Sequence, residues 1–413
     1  MTLCKNYKWI LKKAALYFGV FLLLGLIAVT LAYAIPNELV KPNAEKSIEM
    51  IVTEFPDEWY NVYGDAANMI NVGCDRKWMR RAIVDDPTLN ALEAAMSVNS
   101  YTRYWHGYQV FVRPMLVLGT YENMVYASAF SCLLLLILCF GALKEKFGVG
   151  TAIAFLVSLS LVRFTAMSVC LNNSGCFLAA MGMILLVLKL AGTEKERYLY
   201  PLFLLGGMTV TYIDVLSAPL VSLGLPLAVY LMVKLSDGGE GKLKSNLIDT
   251  FALPAFWAAG YGIFWAAKWL LGSAVLGRNI LTDALAQAEF RIAGDVSHMT
   301  NPKDALIVNF AVLTPDNAYL KLALAITAAA LFVLLLIFHR GWKQVKEGLP
   351  LLIVAASPIL WIVVLSNHSE IHAQFVFRIL SVLLFALLGF FIYAMDWAKF
   401  RAVFRRKGTG GAC

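Results

Sequence analysis

Ten apolar runs, at residues 14–35, 125–143, 148–167, 175–190, 200–216, 220–233, 250–271, 320–338, 350–365 and 377–395, constrain this chain more than any other feature. A helix rises about 1.5 Å per residue, so roughly 20 apolar residues cross the hydrocarbon layer of a bilayer, about 30 Å thick. Hydrophobic residues make up 60% of the 413 and charged residues 15%, against about 25% charged in soluble domains. A soluble enzyme is therefore excluded. The expected fold is all-α, a polytopic transmembrane helix bundle of about ten spans. The runs at 200–216 and 220–233 lie so close together that a re-entrant segment is the alternative for one of them.

Basic residues set the expected orientation. Lys5, Lys8, Lys12 and Lys13 precede the first run. Alternate connections carry Lys144 and Lys146, Lys195 and Arg197, Lys234, Lys242 and Lys244, then Arg340, Lys343 and Lys346, and finally Lys399, Arg401, Arg405, Arg406 and Lys407. With ten spans all of these share one side, which puts both termini in the cytoplasm of a bacterial cell, beneath the plasma membrane. The formal net charge of +8 then reads as topology and attraction to anionic membrane lipids, with no nucleic-acid partner expected. Ala32-Tyr33-Ala34 after a basic start resembles a signal cleavage site, but the apolar stretch exceeds the usual 7 to about 15 residues of a signal core and is expected to remain a span.

On the other side two segments are long, 36–124 and 272–319, and the rest are turns. The chain thus reads as one integral membrane domain, 1–413, wearing an extracytoplasmic cap built from two loops. In the first loop Asp86 and Pro87, ahead of Thr88 to Met96, suggest a helix capped by Asp86 with Pro87 at its first position. The seven cysteines form no CxxC pair; Cys170 and Cys176 are near enough in sequence to bridge, and a cysteine metal site is not expected.

Absent motifs narrow the function. There is no GxxxxGK[ST], no strand-flanked GxGxxG and no HExxH, which disfavours an ATP-driven pump. Charges within the runs are few, chiefly Arg163, Asp214 and Lys268, and all lie toward the outer ends. Ion-coupled transporters keep such charges near the midplane and show related halves. Polar chemistry gathered at the outer surface suits an enzyme acting on a lipid-linked substrate.

Four constellations carry that chemistry. Asp65, in the first loop, is a carboxylate able to deprotonate a hydroxyl or bind a divalent ion, and equally a solvated or capping acid. Tyr101, Arg103, Tyr104, Trp105, His106 and Tyr108, followed by Arg113, join aromatic faces that stack on sugars to donors that bind pyrophosphate; the same residues also describe an interfacial aromatic belt. Asp214 ends an apolar run, where an acid is costly unless paired, with Arg163 as the structural alternative. Ser366 to His372 and Arg378 join the last two runs. His368 and His372 stand four apart and share a helix face, an anion-recognition pattern with Arg378 and only a weak zinc signal. Residues 279–291 read as an amphipathic helix whose Arg291 is expected on its solvated face, with contact to a phosphate as the alternative.

A short basic start, one span, a large outer loop with an acid, further spans and a second outer loop together resemble the GT-C superfamily of membrane glycosyltransferases, which includes protein mannosyltransferases, oligosaccharyltransferases and lipid A aminoarabinose transferases. The stretches around Asp65, Arg103 to Tyr108, Asp214 and Asn367 to His372 with Arg378 look like a bacterial branch of it. The resemblance spans essentially the whole chain. It implies that Asp65 is the catalytic acid, with Asp75 and Asp57 the alternative acids. It implies that Arg103, Tyr104, His106, Arg113, Asp214, His368, His372 and Arg378 bind donor or acceptor. The donor would be a sugar on a polyprenyl phosphate and the acceptor a cell-envelope glycan or lipid, with a divalent cation, Mg or Mn, as an optional cofactor. A glycan polymerase or ligase using outer Arg and His without a carboxylate, and a lipid or solute transporter, are the other expectations.

Overall fold

The computed structural model describes residues 2–55, 60–61, 69–236, 243–295, 298–314 and 317–408. Helix α1 (Thr2–Ala34) runs for 33 residues and stops before Pro36, which disfavours helical geometry at the residue ahead of it. The segment 36–124 then folds as α2 (Asn37–Glu54), α3 (Val72–Ala82), α4 (Ala91–Ser97) and α5 (Gln109–Leu118). The bundle continues with α6 (Tyr121–Phe147), α7 (Val149–Leu161), the short α8 (Phe164–Ser168), α9 (Leu171–Leu190), α10 (Leu199–Ile213), α11 (Val221–Ser236) and α12 (Leu243–Leu276). Helices α13 (Leu281–Ala293) and α14 (Pro302–Leu313) fill the second long segment. Then come α15 (Ala318–Phe338), α16 (Trp342–Glu347), α17 (Leu349–Val364), α18 (Ser366–Ile371), α19 (Ala373–Val376), α20 (Leu380–Ala394) and α21 (Trp397–Gly408). Two ladders of two residues a strand, Tyr60–Asn61 with Met69–Ile70 and Gly294–Asp295 with His298–Met299, and an isolated bridge between His339 and Met395 are the β-structure among the described residues.

All ten apolar runs are helical, and six helical stretches are long and apolar enough to cross a membrane: Asn6–Ala34, Tyr121–Phe147, Leu171–Leu190, Leu243–Leu276, Lys321–Phe338 and Ala373–Ala394. Among the remainder, polar residues break two. Arg163, at φ 57°, ends α7 after 13 residues, and Asp214 leaves helical geometry at the end of α10. Thirteen to 16 residues make only about 20 to 24 Å of helix.

Helix α11 is the axis of the bundle. Every residue from Val221 to Val233 is buried, as expected of a helix that is apolar on all sides, and α9, α12, α17 and α20 pack around it. Helices α10 and α12 approach most closely. A Cβ on Gly207 would strike the carbonyl of Trp257, and one on Gly260 the carbonyl of Leu204, so backbone meets backbone there as small residues permit between membrane helices. Helix α15 is the opposite case: no residue of its apolar stretch is buried.

Two local expectations change. Asp86 does not cap a helix; it accepts from Thr88 N at 2.9 Å and Thr88 Oγ1 at 2.6 Å, closing a turn. The cap belongs to Asn90, whose side chain takes Leu92 N and Glu93 N at 3.0 Å while Glu93 bonds back to Asn90 N at 2.9 Å, a reciprocal box that outcompetes the Asp-Pro pair. Cys170 and Cys176 are free thiols.

Candidate functional site

The site forms at the cap end, where the first long segment, the break after α10, the second long segment and α18 meet. The loop between α4 and α5 is under backbone strain. Val98, Asn99, Ser100 and His106 all sit at positive φ, a conformation that persists only when neighbours over-determine it. They do so here. Trp105 Nε1 donates to Phe264 O at 2.9 Å and its ring stacks on Phe264. Gly107 N donates to Tyr212 O at 2.8 Å, and a Cβ on Gly107 would enter the Tyr212 ring. The aromatic run is thus no surface belt: Tyr104, Trp105, His106 and Tyr108 are all buried.

Within that loop His106 and Arg113 are committed to the protein. The His106 ring nitrogens lie 2.8 Å from Tyr108 Oη and 2.8 Å from Tyr101 O, and burial pushes its pKa well down. Arg113 donates to Ala32 O at 2.8 Å, to Ile35 O at 2.7 Å and to Ala82 O. It caps the ends of α1 and α3 with one guanidinium, a favourable place for a cation. Arg103 pairs with Asp283 at 2.8 and 3.1 Å, and its carbonyl accepts from Trp265 Nε1 at 2.8 Å and Trp269 Nε1 at 3.0 Å, so it ties the loop to α12 and α13.

The Ser366 to His372 stretch does two jobs. Ser366 Oγ donates to Ile292 O at 2.9 Å and Asn367 Nδ2 to Phe290 O at 2.7 Å, while Asn309 Nδ2 donates to Ser369 O at 2.7 Å. These bonds fix the end of α13 against α18. They place Arg291 with Nη1 2.6 Å from His368 Nδ1 and Nη2 3.1 Å from Tyr104 Oη. A guanidinium only donates, so His368 Nδ1 accepts and Nε2–H donates to Leu216 O at 2.9 Å. His368 is therefore neutral, in keeping with burial and the Arg291 charge holding its pKa well below the usual value. Leu216, at φ 72°, is a further strained residue whose backbone serves this junction.

The stretch from Ser369 to Gln374 also holds polar atoms still seeking partners. Ser369 Oγ, His372 Nδ1 and Gln374 Oε1 are buried with no hydrogen-bond partner among the described residues, and each such atom costs about 1 to 3 kcal/mol until something bonds it. His372 stands 4.9 Å from the His368 ring and stacks on Phe375. Burial, then the Arg291 charge, lowers its pKa to about 4. Arg378, fully buried in the turn Phe377–Ile379, donates to Gln374 O at 2.8 Å. Between α12 and α13 a narrow cleft of about 40 Å³ is lined by Arg103, Tyr104, Trp265, Trp269, Gln287 and Arg291. It holds water-sized guests as it stands, so a larger ligand requires α13 to move outward.

Two described carboxylates flank this layer. Asp214 accepts from Ser217 N at 2.8 Å and from Ser217 Oγ. Asp75, on α3, takes Asn172 N at 2.8 Å, Leu171 N at 3.0 Å and Tyr121 Oη at 2.8 Å, which seats it on the N-terminus of α9. Both acids are occupied, and no group of three or more His, Cys, Asp or Glu among the described residues is arranged for a metal ion. Asp65 and Asp57 lie outside the described residues.

The chain matches no family model, no curated protein and no solved structure.

The site thus rests on its own geometry, which brings Arg103, Tyr104, His368 and His372 around Arg291, whereas Arg378 is held on Gln374 O. Trp265 and Trp269 were missed, although their i,i+4 spacing inside an apolar helix was visible.

Burial raises the Asp75 carboxyl from 3.8 to about 6 against the pull of its donors. The folded state then holds a proton between about pH 4 and 6 that the unfolded chain releases. Stability consequently falls by roughly 3 kcal/mol as pH rises through that window and levels off above it. Thermal unfolding in detergent across pH 4 to 8 measures this slope, and Asp75→Asn removes that share of it; an unchanged slope in the variant refutes the assignment.

Proposed function

We propose that this chain is a membrane glycosyltransferase of GT-C-like plan, in a bacterial plasma membrane with ten spans and both termini cytoplasmic, moving a sugar from a polyprenyl phosphate to a cell-envelope glycan or lipid. The observation that carries the reading is Arg291, held between His368 and Tyr104, with the His372 ring 4.9 Å from that of His368 and its Nδ1 buried without a hydrogen-bond partner among the described residues. A phosphate meets the demands of that place: it brings acceptor oxygens and charge to a guanidinium in a dry surrounding. Tyr104, Trp265 and Trp269 offer ring faces to the sugar.

In the reaction the acceptor hydroxyl attacks the anomeric carbon, the bond from that carbon to the phosphate oxygen breaks, and polyprenyl phosphate leaves with the electron pair. Arg291 answers the charge developing on that oxygen, and Arg378 supports the segment that presents His372. Asp65 takes the hydroxyl proton. Asp75 and Asp214 are occupied by their own donors, so no step is assigned to a Mg or Mn ion.

The test is mass analysis of envelope glycans from cells with and without the gene, complemented by wild type or by Asp65→Asn. Loss of one sugar in the deletion strain, restored by wild type and not by Asp65→Asn, is the expected result. Restoration by Asp65→Asn together with failure of Arg378→Ala points to a polymerase or ligase. Unchanged glycans, with lipid or solute movement in proteoliposomes, point to a transporter.

A further inference from the structure

We infer that Arg103 is a second anion-binding group at the mouth of the α12–α13 cleft, masked by Asp283, and that a ligand bearing a second anionic group opens α13 by taking the place of the Asp283 carboxylate. The inference rests on the reading of this cleft as a phosphate site and adds what else the site recognises.

Positive charge is gathered there. Arg103 and Arg291 both line the cleft. The guanidiniums of Arg81 and Arg103 stand 4.2 and 4.8 Å from the Tyr101 ring, which lies 5.5 Å from the ring of Tyr104, the residue that meets Arg291. Among the described residues Asp283 is the carboxylate that pairs with any of these three cations. One acid among three guanidiniums is the charge pattern of a site that an anion completes.

Asp283 has the marks of a placeholder. Arg103 does not depend on it for position, since Trp265 Nε1 and Trp269 Nε1 hold its carbonyl at 2.8 and 3.0 Å. Both contacts to the carboxylate, at 2.8 and 3.1 Å, come from the single nitrogen Nη1, so Asp283 misses the two-pronged fork that a guanidinium offers to a phosphate or carboxylate. The pair is also open to water, with side chains 19% and 51% exposed, and pairs so placed contribute little. An arriving anion exchanges with Asp283 readily.

That exchange opens the cleft because Asp283 belongs to the helix covering it. The ends of α13 are held unequally. At the C-terminal end Ser366 and Asn367 bond Ile292 O and Phe290 O, and Arg291 reaches His368. At the N-terminal end stand the Asp283 pair and buried Ile280, whose N–H donates to Ser273 Oγ at 3.0 Å. Just before them the chain turns at Gly277, with φ 63° and open space where a Cβ would stand. Loss of the pair frees this end first, with Gly277 as the joint. Helix α13 then swings about its anchor on α18, and Arg291 stays on His368.

The second anion comes either from the donor, as the further phosphate of a diphosphate, or from the acceptor. Calorimetry on the full-length protein in detergent, with farnesyl phosphate and farnesyl diphosphate as probes, separates the two. A wild-type preference of about 10-fold for the diphosphate, lost in Arg103→Ala, assigns both charges to the donor. Equal affinities, with inorganic phosphate binding to wild type saturated with farnesyl phosphate and not to Arg103→Ala, assign the second charge to the acceptor. In either case Asp283→Asn, which removes the competing charge at constant size, tightens binding of the second anion about 3- to 5-fold, and amide hydrogen exchange rises from Gly277 to Gln287 while Phe290 to Ile292 stay protected. The Arg103 bonds to Trp265 and Trp269 are made by its backbone, so Arg103→Ala keeps them. Weaker binding in Asp283→Asn, as loss of a structural strut would give, overturns the inference, and so does an unchanged response to the second anion in Arg103→Ala. Binding of farnesyl phosphate without any second anion overturns it and leaves the phosphate reading of the cleft standing, whereas binding of neither probe removes both.

Discussion

Arg291→Ala lowers sugar transfer by about 10² to 10³-fold, an expected loss of roughly 3 to 4 kcal/mol of transition-state stabilisation, the magnitude found when one preorganised donor is removed from a developing oxyanion. The fall should appear in kcat as much as in kcat/KM, because the leaving phosphate gains charge only as the bond to the sugar breaks. Arg291→Lys restores part of the activity. Lysine keeps the charge but not the fork that reaches His368 Nδ1 and Tyr104 Oη together. Thermal unfolding of both variants should stay within a few degrees of wild type, since Arg291 is only half-buried. Wild-type transfer by Arg291→Ala would reduce the residue to a strut between α13 and α18 and remove the main support for the proposed reaction.

Arg113→Ala has the largest expected effect on stability, about 3 to 5 kcal/mol, because its three carbonyl partners sit in a buried junction and lose their donors at once. Arg113→Lys recovers less than half of this, since one ammonium cannot address the carbonyls of Ala32, Ile35 and Ala82 from a single point. Unfolding monitored at Tyr33, whose ring lies 4.7 Å from the guanidinium, would report the junction directly. A loss below about 1 kcal/mol would mean that water replaces the guanidinium without cost. The same variant separates two roles for Arg113: a destabilised protein that still transfers sugar places the residue in the scaffold.

What could be read from the sequence was what hydrophobic patterning encodes. Every apolar run is helical over most of its length, since run length and composition are local properties. Span number was less legible, because Arg163 and Asp214 stop helices in ways that depend on what surrounds them. The aromatic run from Tyr101 to Tyr108 has the composition of a membrane belt, yet tertiary packing of Trp105 on Phe264 takes it inside. Arg291 illustrates the limit best. Its place on an amphipathic helix suggested solvent, and only the bonds from Ser366 and Asn367 to the far end of that helix turn its face toward His368. Such contacts join residues about 75 apart and leave no periodic trace.

Helix α15 is moored to the protein chiefly at one end. Its Lys321–Phe338 stretch of 18 residues measures about 27 Å, none of it buried, and is held where Phe338 meets Phe400 and Lys399 Nζ donates to Ile337 O. A change in bilayer thickness would therefore be taken up there first, by reorientation of one loosely moored rod, while the α10–α12 pair, locked backbone to backbone at Gly207 and Gly260, would ride through unchanged.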